Sequence, residues 1–228
     1  MDSLRATDPL AANWVVIVLL IAFGAMGWVN LVSPRKWALL RRSFLTDRLG
    51  RQSLRDELDI QDRTLVGLVV VACALFALFA SQVAVLHGGA TGGSALWARF
   101  FGIGLGVVLL QVALVRLTGT VFQGDGGLTE YLYTLLVFHV VAGLLLLPIT
   151  SMVAFPHQLA WRGWLIILGL GILSLATLFR WVRAALVGVG EGVPARYIFI
   201  YLCALEILPV ALLLQQLRST VTIPSLTH

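Results

Sequence analysis

The sequence predicts an all-α, polytopic integral membrane bundle of about six transmembrane helices. Three observations lead there. Hydrophobic residues make up 59% of the 228 positions and charged residues only 12%, with a mean hydropathy of +0.95. Soluble domains carry roughly 25% charge, and without it a chain cannot cover a globular surface with polar groups. Second, six stretches are apolar over close to the length that a helix needs to cross the hydrocarbon, about 20 residues. Third, the apolar–polar alternation of a membrane barrel is absent, so the backbone groups in lipid must be satisfied within helices. This composition excludes a soluble enzyme, a disordered chain and a nucleic-acid-binding domain, even at a sequence pI near 9.9.

The elements follow in order. Residues 1–13 form a short tail with Asp2 and Asp8 against Arg5. Residues 14–32 are the first span. Pro34, Arg35 and Lys36 come next and read as a stop-transfer flank rather than a cleavage site, so the run is a span and not a signal peptide. Residues 33–63 are a basic loop. There Trp37, Leu40 and Phe44 recur at helical spacing among Arg35, Lys36, Arg41 and Arg42. That pattern fits an amphipathic helix docked on anionic lipid or on a partner. Arg55–Asp59 and Asp59–Arg63 are i,i+4 pairs that support a solvated helix leading onward. The remaining five spans, within residues 64–228, are 64–86, 96–117, 131–155, 163–179 and 197–214, followed by a short tail. Arg99, Arg116 and Arg180 are expected to snorkel from the ends of the third and fifth. Gly124-Asp125-Gly126-Gly127 between spans three and four lacks the Lys-Ser/Thr pair of a phosphate-binding loop and reads as a turn.

Basic residues set the orientation. Arg35, Lys36, Arg41, Arg42, Arg48, Arg51, Arg55 and Arg63 all lie between spans one and two, which places that loop in the cytoplasm. Alternation then puts twelve of the sixteen basic residues inside. Both termini are expected outside, in the periplasm of a Gram-negative cell. Trp14, Trp28, Trp37, Trp97, Trp161, Trp164 and Trp181 cluster near span ends, as an interfacial belt does. Cys73 and Cys203 lie inside apolar runs and read as small buried hydrophobes rather than a disulfide.

Chemistry could sit only on polar groups in the hydrocarbon. A charge at mid-bilayer costs at least about 2.5 kcal/mol. Glu206, His139 and Gln111 fall at comparable depth on three different spans. They are expected to form one polar cluster, as interhelical glue or as a proton relay. One intramembrane histidine is thin support for haem, since His87 and His157 belong near the outer surface. No metal site and no cofactor is expected. Gly102 and Gly106 form a small-xxx-small pair for helix packing, and Gly169 and Gly171 invite the same in span five. Pro148 and Pro209 are expected to kink their helices.

The run Arg196-Tyr-Ile-Phe-Ile-Tyr201-Leu-Cys203-Ala-Leu-Glu206-Ile-Leu-Pro209 resembles the last helix of a Bacteroidota family, domain of unknown function DUF4271. Asn13-Trp14 entering a helix, then Pro34-Arg35-Lys36 and a basic stretch with Phe44, resemble its opening. The resemblance implies that Tyr201, Cys203, Glu206 and Pro209 are signature positions, and that the chain is a multipass protein of a bacterial inner membrane. It carries no activity across. Residues 124–148, a Gly-rich loop and then an apolar helix reaching Pro148, are similar in layout to Yip1-like membrane proteins. The function expected is non-enzymatic: an accessory or scaffold subunit of an envelope complex, such as a secretion or motility apparatus. The alternative is a small transporter or proton-coupled channel built on Glu206 and His139. Lipid and other membrane proteins are the expected partners.

Overall fold

The computed structural model describes residues 9–32, 63–88, 92–121, 128–155, 160–190 and Gln215. A 3₁₀ turn, Pro9–Ala11, leads into α1, Asn13–Val32. Then come α2, Arg63–Gly88, and α3, Ser94–Val121. Helices α4, Leu128–Ala154, and α5, Trp161–Gly190, complete the described chain. No strand occurs among the described residues. Each of the five helices contains a window long and apolar enough to cross a membrane. They answer to the first five expected spans. The sixth, 197–214, lies outside the described residues, as do the loop 33–62 with Arg35, Lys36, Trp37, Arg41, Arg42 and Phe44, and the positions Tyr201, Cys203, Glu206 and Pro209.

Helix α5 runs well past the expected end at 179 and continues through Arg180 and Trp181 to Gly190. Arginine is a good helix former, so charge ends a hydrophobic run without ending the helix. Thirty residues rise about 45 Å, more than the roughly 30 Å of hydrocarbon.

Helices α2 and α4 form the central pair. Helices α1 and α3 pack on α2, and α5 packs on α4. Burial follows this order: 67% of the crossing window of α4 is buried, against 17% of that of α5. Leu75 and Leu78 of α2, Leu146 of α4 and Ile166 of α5 are fully buried. Cys73 of α2 is a buried free thiol. The outer faces of α1, α3 and α5 remain apolar, with Leu31, Leu109 and Leu175 well exposed.

Glycine sets the two tightest crossings. A Cβ placed on Gly143 of α4 would sit 2.6 Å from the Ala72 Cβ and 2.8 Å from the Ala72 Cα. The α2 and α4 backbones therefore approach as closely as small residues allow. On α5, a Cβ at Gly169 would meet the Phe79 ring at 2.5 Å and Ile149 at 3.4 Å, so the notch at Gly169 is filled by an aromatic ring reaching from α2. The pair singled out for packing, Gly102 and Gly106, lies on an exposed side of α3 and meets no neighbour within 4 Å among the described residues; the same holds for Gly171. A small-xxx-small spacing marks where a helix can come close, not which of its faces is used.

Two further local features concern Trp97 and Pro148. Trp28, Trp161 and Trp164 are exposed near helix ends, as belt residues are. Trp97 is not placed that way. Its Nε1 donates to the Ala74 carbonyl at 3.2 Å, its ring stacks on Phe101 with centroids 5.3 Å apart, and Trp14 lies 6.2 Å away. It therefore packs α1, α2 and α3 together. Helix α4 continues through Pro148. The ring removes the N–H that the Leu144 carbonyl would otherwise receive. Just beyond, Thr150 and Ser151 hydroxyls both donate to the Leu147 carbonyl, at 3.0 and 2.8 Å.

Candidate functional site

Two groups of polar side chains lie within the bundle, one toward each end. The first is where α4 finishes and α5 begins. Gln82 of α2 is 1% exposed, and its Nε2 donates to the Thr150 carbonyl of α4 at 3.0 Å. Its Oε1 is buried without a hydrogen-bond donor among the described residues. Arg162, in the first turn of α5, is also buried. Its Nε donates to the Val153 carbonyl at 3.1 Å. Val153 belongs to the last turn of α4, where four carbonyls have no intrahelical donor and the helix dipole is negative. Arg162 thus caps α4 from the next helix. Read from sequence alone, it is one more loop arginine.

One bond here is cheap to lose and one shape is not. A net hydrogen bond is worth about 1 kcal/mol, and Gln82 already carries an unsatisfied buried acceptor. Gln82→Leu is therefore expected to change stability by no more than about 1 kcal/mol. Gln82→Ala, which empties the site, should cost about 2–4 kcal/mol. Unfolding of both variants in micelles checks the contrast.

The second group surrounds His139 of α4, toward the opposite end. The His139 Nδ1 lies 3.0 Å from the Leu135 carbonyl, one turn back, and donates to it in the tautomer protonated there. The Phe76 ring of α2 meets the imidazole edge-on, with centroids 6.2 Å apart. From α5, the Arg180 charge acts on the ring. One residue along each chain, Phe138 and Phe179 stand 5.8 Å apart and hold α4 against α5 at this level. Arg180 is half-buried with its Nε fully covered.

Of the expected cluster, His139 and Gln111 are described and Glu206 is not. Gln111 is buried on α3, while His139 meets Leu135 of its own helix and Phe76 of α2.

The hydroxyls here are engaged locally. Ser81 donates to Leu78, Thr150 and Ser151 to Leu147, and Thr177 to Leu173, each one turn back on its own helix. That is the usual way for Ser and Thr to satisfy themselves inside helices. None of these bonds links a hydroxyl to His139 as a base would require. No group of three or more His, Cys, Asp or Glu side chains converges among the described residues.

The family model described as domain of unknown function (DUF4271) matches residues 15–217. The chain belongs to this family. The DUF4271 match takes in all five described helices and also the run with Tyr201, Cys203, Glu206 and Pro209. No curated protein and no solved structure matches the chain.

Proposed function

We propose that this DUF4271 protein is a non-enzymatic multipass protein of a bacterial inner membrane that serves as an accessory or scaffold subunit of an envelope complex. The observation that carries this is the outer side of α5. Trp164, Leu168, Gly171, Leu175, Leu178 and Val182 recur at alternating steps of four and three, and every one of them is exposed. This is the spacing of a helix–helix seam. Gly171 lies midway with open space around it, as a close helix crossing needs. Meanwhile Gln82, Trp97 and Arg162 donate to backbone carbonyls of neighbouring helices, which supports a role in holding helices together.

The experiment is a tagged purification from native membranes in mild detergent, read by mass spectrometry. A stoichiometric membrane partner is expected. A Cβ at Gly171 meets no neighbour within 4 Å among the described residues, so Gly171→Leu should leave folding intact while reducing the partner at least tenfold. Purification of a lone protein, or unchanged recovery with Gly171→Leu, counts against the proposal.

A second reading is favoured by His139, an ionisable side chain packed between α2 and α4 within a crossing window. Ionisable groups at such a depth often mark proton or ion paths. A small proton-coupled transporter or channel would then use His139 with Glu206. Proton flux into proteoliposomes, abolished by His139→Phe, is its test; absence of flux removes it.

A further inference from the structure

We infer that Pro148 is a hinge: the end of α4, residues 149–154, pivots on it as a unit, and Gln82 of α2 and Arg162 of α5 are the two latches that hold it closed. This does not depend on the scaffold reading; it requires only that the bundle is embedded in a membrane.

Three observations point there. The first is where α4 is held fast. Gly143 lies so close to Ala72 that an added Cβ would stand 2.6 Å from the Ala72 Cβ. Val140 and Leu146, on either side of this crossing, are fully buried. The part of α4 before Pro148 is therefore fixed to α2.

The second is where α4 is weak. Pro148 has no N–H for the Leu144 carbonyl, and its ring crowds that oxygen. Just beyond, the Thr150 and Ser151 hydroxyls both donate back to the Leu147 carbonyl, at 3.0 and 2.8 Å. Such back-bonding loosens and bends a helix. The proline and both hydroxyls fall within one turn, and helix bends have such causes.

The third is what holds the residues beyond it. Ile149 and Val153 pack with Phe79 and Ile166. Lipid tails are as apolar as these side chains, so parting them in a bilayer exchanges one apolar neighbour for another. A polar bond has no such replacement in hydrocarbon. Two arrive from other helices, and both reach carbonyls past the proline: Gln82 Nε2 at Thr150, 3.0 Å, and Arg162 Nε at Val153, 3.1 Å. Before the proline, His139 instead bonds to Leu135 of its own helix. The closed form also leaves the buried Gln82 Oε1 without a hydrogen-bond donor among the described residues, which lowers the cost of opening. Opening parts Ile149 from Gly169 and bares the Gln82 amide at this end of the bundle.

Hydrogen exchange of the full-length protein in lipid nanodiscs, read along α4, tests the hinge. Gln82→Leu should speed exchange at residues 149–154 about fivefold and Arg162→Met at least about tenfold, the worth of a neutral and of a charged hydrogen bond. Each should leave residues 132–147 within about twofold of the parent. The two variants combined should multiply their effects, because both hold one moving unit. Pro148→Ala returns an N–H to the Leu144 carbonyl and makes α4 continuous. In that background the two sides of position 148 should respond alike to loss of a latch. A step at 148 that persists in Pro148→Ala overturns the hinge. So does an even response along α4 in the latch variants, or none, and these two outcomes decide the matter even if Pro148→Ala fails to fold.

Discussion

Gly143→Val is expected to eliminate the folded bundle. The α2–α4 crossing is the centre of the described bundle, and a Cβ at Gly143 would stand 2.6 and 2.8 Å from the Cβ and Cα of Ala72. The second of these atoms is backbone, so no rotamer change can relieve it. One of the two most buried helices must shift against the other, and the losses spread into Leu75, Leu78 and Leu146. Gly143→Ala should already cost about 1–3 kcal/mol, the range for overpacking a well-filled interior. Ala72→Gly added to Gly143→Ala removes only the nearer atom, so partial recovery is expected. Gly169→Ala supplies the contrast. Its close neighbour is the far edge of the Phe79 ring, and Phe79→Leu should rescue it. Unfolding in micelles, with size-exclusion profiles, separates the cases. A parent-like Gly143→Val would show that the two helices do not cross there.

Arg162→Met is expected to destabilise the protein by about 1.5–3 kcal/mol, the worth of a hydrogen bond from a charged group. Methionine keeps much of the apolar stem but not the donor that caps the Val153 carbonyl. Arg162→Lys keeps the charge at the negative end of α4 and should recover only part of the loss, since it lacks the Nε. Hydrogen exchange adds a local readout: protection should fall first in the last turn of α4, near Val153 and Ala154. Loss spread evenly over the bundle would instead mean that Arg162 acts through packing alone.

Much of the architecture is legible in the sequence because hydrophobic run length is a one-dimensional property. Boundaries expected at 14–32 and 64–86 sit against observed helices Asn13–Val32 and Arg63–Gly88. Which faces meet is a property of pairs, and it is much less visible. Gly143 is one glycine among 22, and nothing near it names Ala72, far back along the chain, as its neighbour. The side chains of Gln82 and Arg162 illustrate the same limit. A glutamine inside an apolar run and a cation just after a helix end were both available as signals. Their roles rest on the Thr150 and Val153 carbonyls, which folding alone brings to them. His139 was recognisable by its expense in hydrocarbon.

The central pair is not consecutive: α3 is made between α2 and α4, yet α2 and α4 approach closely at Ala72 and Gly143. Helices enter a membrane in the order of synthesis and associate afterwards. During biogenesis the Ala72 face of α2 therefore faces lipid until α4 has been released into the bilayer and has come alongside. A ribosome stalled in the loop after α3 would leave a chain whose future interior is still bare, lacking its most enclosed helix. A finished chain differs from an unfinished one in whether the Gly143 turn has arrived beside Ala72.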